Sequence, residues 1–434
     1  MRLPISSGES EPRSEASRAL LWFRYLVLLL LLGSQVLATV PSSRTTLVLV
    51  SLDGFRYDYP DRFRGGALER LEREGVRAER LIPPFPASTF PAHASLATGC
   101  YPERHGILNA RFLDSARGEY DRSEDPDWLT CEPIWITAER QGTPSAVLNW
   151  LASYGKWRGV EASYHADRFA SLTDRESLQR ILEWLRLPPD SRPRLVVAYL
   201  SGADHAGHDQ GPQSEAVDRR IRSMDRLLES FLRDLRALPF AEAIQLIIVA
   251  DHGMASREGR TDPAERLRAR RIPHRLLASG GSANLYLRRP EDRMRAIATL
   301  EEIPGLQVFP GDRLPKQLHY SYPGRTGDLV LVAPVGVELG SHGVAEAGGG
   351  VHGYRGEERE MGGVFYAQGT EFEKGKRIPA IRAIDVYSIA CAVLGVLPSQ
   401  DAQGRIPPGI LRNPGAKSGP HLHPRLEDPA PARP

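Results

Sequence analysis

Thr45-Thr46-Leu47-Val48-Leu49-Val50-Ser51-Leu52-Asp53-Gly54-Phe55 is an apolar run rich in β-branched residues that ends abruptly on an acid and a glycine. A run of that length and composition reads as a strand buried on both faces. Ser145–Asn149, Leu195–Leu200 and Ile244–Ala250 have the same character. Between these runs lie the helical patterns Ala67–Glu74, Arg175–Leu187 and Glu215–Leu235. The last places Val217, Ile221, Met224, Leu228, Phe231 and Leu235 on one face and charged residues opposite. Strands alternating with helices predict an α/β fold with a largely parallel sheet covered on both sides. From about residue 255 to residue 345 the pattern changes to short segments, such as Ala283–Leu287 and Leu329–Val332, among many Arg, Gly and Pro. This stretch is predicted to be an inserted cap. The core pattern returns over Gly349–Pro398 and ends in a helix, Ile384–Leu394. The expected organisation is therefore a signal segment over 1–38 and core over 39–254. A cap over 255–345, more core over 346–398 and a disordered tail over 399–434 complete it.

The chain has 434 residues, 41% hydrophobic and 25% charged, with a net charge of +2. That balance excludes both a disordered chain and a generally basic nucleic-acid coat, so no nucleic-acid polymer is expected as a partner. Three cysteines exclude a disulfide scaffold. At the N-terminus an Arg-containing polar segment precedes the apolar run Tyr25–Leu32 and the small-residue stretch ending at Ala38. This order reads as a secretory signal cleaved after Ala38, and the run is short of the roughly 20 residues that span a bilayer. The expectation is an exported protein, periplasmic or secreted, touching a membrane only if this segment is retained. In that environment Cys100 and Cys131 can pair, while Cys391 lies in an apolar helical run as a buried thiol.

Three predicted strands end in acids. Leu52 leads into Asp53, Leu200 leads into Ser201-Gly202-Ala203-Asp204-His205-Ala206-Gly207-His208, and Ala250 leads into Asp251-His252-Gly253-Met254. Ligands of open α/β sheets bind beyond the carboxyl ends of the strands. A single such Asp is a common turn former. Three at one edge would repel one another unless cations sat between them, and mixed Asp/His ligation suits zinc ahead of manganese or iron. Thr89, in Ser88-Thr89-Phe90-Pro91-Ala92-His93, stands at a predicted helix start with a proline in the first turn. Alone it would read as a cap. Beside a metal cluster, a hydroxyl at an anion-attracting helix end is a candidate nucleophile.

These residues resemble the nucleotide pyrophosphatase/phosphodiesterase family of the alkaline phosphatase superfamily, in a bacterial exported form. The matching stretches are Ser51–Phe55, Thr89–Gly99 with Tyr101–Gly106, Asp204–Pro212, Asp251–Met254 and Val351–Tyr354, in the family's order. The resemblance implies an alkaline-phosphatase-like α/β/α sandwich and two zinc ions, other divalent metals being compatible. One zinc would be held by Asp53, Thr89, Asp251 and His252, the other by Asp204, His208 and His352. Thr89 would attack phosphorus to give a covalent phospho-threonine, and the second zinc would favour departure of the leaving oxygen. His342 rivals His352, which is preferred because Gly-Tyr follows it. Phe90 would flank the substrate. Tyr199 resembles a base-stacking tyrosine of bacterial members, with Tyr164 as a candidate second wall. His93, His105 and His205 read as structural or solvated.

Two departures stand out. The family's phosphoryl-binding Asn, 21 residues after the nucleophile, is Ala110 here, with Asn109 beside it; either Asn109 serves or a donor is missing. Arg355 replaces the Asp or Asn that often follows His-Gly-Tyr. The reading is a hydrolase of phosphate diesters and pyrophosphates with small nucleotide-type substrates. The alternative is a phosphate monoesterase or phosphonate hydrolase using Lys156 and Arg158, whose charges would suit a dianion. A non-catalytic exported metal-binding protein is the third reading.

Overall fold

The computed structural model describes residues 45–166, 172–340 and 348–412. The expected signal segment, His342 and the end of the expected tail lie outside the described residues.

Thr46–Leu52 occupies the middle of an eight-stranded sheet, with parallel neighbours on both sides. Leu195–Leu200 flanks it on one side, followed outward by Ser145–Leu148 and Tyr164–His165, all parallel. On the other side comes Ile244–Val249, then three strands absent from the sequence-based expectation. Phe365–Gln368 and Val76–Ala78 are joined antiparallel, and Lys376–Ile378 closes the edge. The sheet is thus mixed, parallel where the acids arise and antiparallel at one margin. The missed strands are short, three or four residues each, and carry Arg, Lys or Gln, which hides them from a search for long apolar runs.

Side chains alternate across the sheet and build two cores. Leu47, Leu49, Val197 and Ile247 pack with Leu96, Trp135, Val386 and Ile389. Val48, Val50, Val196 and Ile248 pack on the opposite face with Leu71, Ile181, Met224 and Leu228. The helices Thr89–Thr98, Ile134–Arg140 and Ala383–Leu394 therefore cover one face. Ala67–Glu74, Asp174–Leu185 and Glu215–Arg236 cover the other. The predicted apolar stripe of the long helix is its buried face, from Val217 through Leu235.

The cap is a four-stranded antiparallel sheet, ordered His274–Ser279, Ser282–Leu287, Leu329–Val332, Gln307–Pro310, with the helices Pro263–Ala269 and Arg293–Glu301 against it. It belongs to the same compact unit as the sheet. The expectation of a disordered tail from Ser399 fails for residues 399–412. Ile410 and Leu411 are buried, Gln403 N–H donates to Gly99 O at 2.7 Å, and Arg405 N–H donates to Asp385 Oδ1 at 2.9 Å. A few apolar anchors suffice there because backbone groups dock on helix ends. No helix among the described residues is long and apolar enough to cross a membrane.

Cys100 and Cys131 form a disulfide across 31 residues of sequence, and Cys391 is a buried free thiol. Closing a loop of that length removes unfolded-state entropy worth about 3–4 kcal/mol. Cys131→Ser is expected to lower unfolding stability by roughly that amount, measured by urea denaturation, with reducing agent producing the same loss in the unmutated protein.

Candidate active site

The three acids converge because their strands are adjacent and in register. Leu52 pairs with Leu200 and Ser51 with Val249, so the chain segments leaving all three strands emerge at one edge. The approach is close: Ala203 N–H donates to Asp53 O at 2.8 Å. Gly202 has φ +53°, and a Cβ there would lie 2.1 Å from Asp53 O, which only glycine avoids. Asp204 then opens the helix Asp204–Gln210, which sets His208 on the same side four residues later.

Around His252 the geometry is specific. Its Nδ1 lies 2.9 Å from Gly253 O, an atom that can only accept, so Nδ1 carries a hydrogen and Nε2 is the nitrogen turned to the site. Nε2 faces Thr89 Oγ1 at 3.2 Å, Asp251 Oδ2 at 3.3 Å and Asp53 Oδ1 at 3.5 Å. His352 and His208 repeat the arrangement, with Nδ1 of each 3.1 Å from a carbonyl, Ala87 O and Gly350 O respectively. Their Nε2 atoms are 3.1 Å apart, and 3.8 and 3.4 Å from Asp204 Oδ1. Asp53 Oδ1, Asp204 Oδ1 and Asp251 Oδ2 are buried without a hydrogen-bond partner among the described residues. Buried carboxylate oxygens grouped with imidazole nitrogens in this way suit a cation among them.

Two ligand groups follow from the distances. Asp53, Asp251 and His252 form one; Asp204, His252 and His352 form another, each with donor atoms within 4.8 Å of one another. His252 lies between them, its ring 3.9 Å from that of His352. The second expected set named His208 in place of His252, and His208 adjoins it through the contacts above. The electrostatics agree. Burial, with Asp251 and Asp204 nearby, pushes the Asp53 carboxyl well above the usual range. Burial together with His252 and His208 holds His352 well below the ordinary imidazole value.

Thr89 is the first residue of the helix Thr89–Thr98, and Ser88, not Thr89, occupies the cap position. The Thr89 hydroxyl is therefore free of capping and points to His252. The N–H groups of Thr89 and Phe90 precede the first helical bond, Ala92 to Ser88, and Pro91 contributes none. Asn109 is buried, and its Oδ1 accepts from Ala110 N–H at 2.8 Å and Ser88 Oγ at 3.4 Å. This orients the amide and leaves Nδ2 without a hydrogen bond among the described residues. Phe90, half-buried, meets Tyr120 edge-on at 6.4 Å.

Tyr199 does more than line a wall. Its hydroxyl donates to Asp53 Oδ2 at 2.7 Å, so it orients a candidate metal ligand. Tyr164 is misplaced for stacking. It pairs with Ala146 near the start of the parallel strands, and its hydroxyl donates to Ser191 O, ahead of the Leu195–Leu200 strand. That is the sheet edge opposite the acids. Trp128 and Trp150 are buried in the core. His93 and His105 are buried and hydrogen-bonded within the fold, and His205 is exposed, as read from sequence. Arg355 donates to Gln307 Oε1.

Sequence reasoning missed the braces. Buried Asp174 accepts from Ser201 N–H at 2.8 Å and pairs with Arg220, whose Nε donates to Gly202 O at 2.6 Å. Together they fix the loop that delivers Asp204. Asp174 lies just ahead of the helical pattern Arg175–Leu187 and Arg220 on the charged face of Glu215–Leu235, and nothing local distinguishes either.

Tyr199→Phe should leave the fold intact and weaken divalent-metal retention about 10- to 100-fold, measured by competition with a chelating dye. Unchanged metal affinity with a raised KM for nucleotides would instead assign this side chain to base stacking.

A family profile for Type I phosphodiesterase / nucleotide pyrophosphatase matches residues 47–355, well over half of the chain. An uncharacterised pyrophosphatase/phosphodiesterase of Schizosaccharomyces pombe is 31% identical over 83% of this chain and 79% of its own length. Mouse ectonucleotide pyrophosphatase/phosphodiesterase family member 1 is 29% identical over 81% of this chain but only 41% of its own, so the chain spans about two fifths of that relative. Among solved structures, murine ectonucleotide pyrophosphatase/phosphodiesterase 5 superposes with a TM-score of 0.76 at 25% identity, over 82% of this chain and 96% of that one. An inactive form of the same protein in complex with AMP gives 0.77 at 24%, with the same coverage. The architecture is the alkaline-phosphatase-like α/β fold of these structures. The chain belongs to the type I phosphodiesterase / nucleotide pyrophosphatase family, a family of metal-dependent hydrolases.

Proposed function

We propose that this chain is an exported two-zinc hydrolase of phosphate diesters and pyrophosphates, acting on small nucleotide-type substrates through a covalent adduct on Thr89. The observation that carries the reading is the convergence of Asp53 Oδ1, Asp251 Oδ2 and Thr89 Oγ1 on His252 Nε2, with both carboxylate oxygens buried. The donor set fits zinc, being carboxylate oxygens and imidazole Nε2 atoms whose tautomers are set by backbone carbonyls. Asp53, Thr89, Asp251 and His252 would hold one ion, and Asp204, His208 and His352 the other. Bound zinc supplies positive charge that favours the ionised hydroxyl of Thr89 and offsets charge on the departing oxygen.

The chain's own residues do the rest. Thr89 Oγ1 forms the bond to phosphorus, the ester oxygen opposite leaves, and water later releases the phosphoryl group from Thr89. Asn109 Nδ2 and the first-turn N–H groups of Thr89 and Phe90 provide donors for the phosphoryl oxygens. Asn109, bonded to the residue just before the nucleophile, thus takes the place of the amide missing at Ala110. Phe90 offers a face to the substrate, and the AMP complex of the murine relative supports a nucleotide-type substrate. The disulfide supports export, since it persists in oxidising compartments.

Diesters are favoured over monoesters because, among the described residues, the three carboxylates have ion-pair partners only among histidines. No Lys or Arg among those contacts neutralises the additional charge of a monoester. Arg158 lies over the Trp157 ring at 4.3 Å and donates to Thr130 O, while Lys156 is exposed.

Zinc-loaded protein should hydrolyse bis-p-nitrophenyl phosphate in preference to p-nitrophenyl phosphate. The reverse preference would move it to the monoesterase reading. Asp251→Ala should lose one equivalent of zinc by elemental analysis along with nearly all turnover; retention of both would refute the ligand assignment. Asn109→Ala should reduce kcat by about 10²–10³-fold with metal content unchanged.

A further inference from the structure

We propose that Arg325, a cap residue, is a positioning residue for the phosphoryl-binding amide of Asn109; the inference rests on the role given to Asn109 above. Arg325 is only 4% exposed, and its guanidinium makes three hydrogen bonds. Nη1 donates to Gly106 O at 2.7 Å and to Trp128 O at 3.0 Å, and Nε donates to Asp114 Oδ2 at 2.7 Å. Gly106 and Trp128 are the two ends of one excursion of the chain, so a single cation gathers both of its ends. Asp114 lies within the excursion, on the hairpin of Arg111–Asp114 and Gly118–Asp121. Gly106 leaves room for the grip, since a Cβ there would fall 2.3 Å from Arg325 Nη1. A second cap residue acts alongside, because Tyr286 Oη accepts from Leu113 N–H and donates to Arg325 O.

The gripped excursion carries both groups that border the nucleophile from this side. Asn109 sits three residues after Gly106 and accepts from Ser88 Oγ. Tyr120 meets Phe90 edge-on and stacks on Phe112 at 4.6 Å, with Trp128 edge-on to both. The Arg325 guanidinium lies 5.5 Å from the Phe112 ring centroid and 5.2 Å from that of Trp128. The cap therefore sets where the excursion rests, and the excursion sets where the Asn109 amide points. Lys cannot reproduce this hold, because an ammonium is a single point donor where three acceptors on a planar fork are required. A displacement of about 1 Å in a catalytic donor is enough to cost about 100-fold.

The test is a double-mutant cycle on the zinc-loaded full chain with bis-p-nitrophenyl phosphate, comparing Arg325→Lys, Asn109→Ala and the pair. Arg325→Lys is expected to lower kcat about 10- to 100-fold, with KM within about two-fold and zinc content unchanged. The pair is expected to be no slower than Asn109→Ala alone, because the donor that Arg325 positions is already gone. Asp114→Asn, which loosens the same grip from the excursion side, should lower kcat about 10-fold and carries the test if Arg325→Lys fails to fold. Losses that multiply in the pair, or an unchanged kcat in a folded Arg325→Lys or Asp114→Asn, would overturn the positioning role alone. Unchanged kcat in Asn109→Ala would overturn the donor role itself and the inference with it.

Discussion

Three carboxylates delivered to one sheet edge are the constraint on which the rest of this molecule depends. Each of Asp53, Asp204 and Asp251 holds a buried oxygen with no hydrogen-bond partner among the described residues, and imidazole nitrogens lie within 3.3–3.5 Å of these oxygens. Left bare, such an arrangement is repulsive, and the upward push on the Asp53 carboxyl by burial and its acidic neighbours expresses that repulsion. The fold holds it by backbone means. Parallel register brings the strand ends together, Gly202 lets the loops touch, and Asp174 with Arg220 locks the Asp204 turn. Energy stored this way is recovered when cations bind, so folding and metal binding are coupled.

The cap belongs to the same arrangement. Ala87 O accepts from both Gly353 N–H and His352 Nδ1, two residues before Thr89. His352 O in turn accepts from Gly281 N–H, at the tip of the cap's first hairpin, where a side chain on Gly280 would strike that carbonyl at 1.9 Å. A continuous path thus runs from the cap hairpin through His352 to the segment that bears Thr89. Arg325 makes a second junction on the other flank, through the excursion that bears Asn109. The cap is a support for the site from two directions, which a separately folding lid would not be.

Much of this was legible in the sequence. The four predicted apolar strands and the amphipathic helix Glu215–Arg236 announce themselves by apolar patterning, and the acids stand out because they follow three of those strands. Thr89 could be singled out only in their company. What stayed hidden depends on partners distant in sequence. Tyr199 has the composition of a stacking aromatic, yet its hydroxyl is spent on Asp53, 146 residues away. Tyr164 looked available until pairing with Ala146 put it at the wrong sheet edge. Arg325 is one arginine among many in a weakly patterned cap, and its grip on Gly106, Asp114 and Trp128 exists only once the chain has folded. The segment after Ser399 lacked apolar density, but a few buried side chains and backbone bonds suffice to dock it.

The most direct test of the central claim is peptide mapping by mass spectrometry after rapid acid quench of zinc-loaded protein turning over bis-p-nitrophenyl phosphate. A phosphoryl adduct on the peptide containing Thr89, absent in Thr89→Ala protein that retains its zinc, is the predicted result. Turnover at full rate with no adduct at Thr89, or an adduct on another residue, would contradict the account.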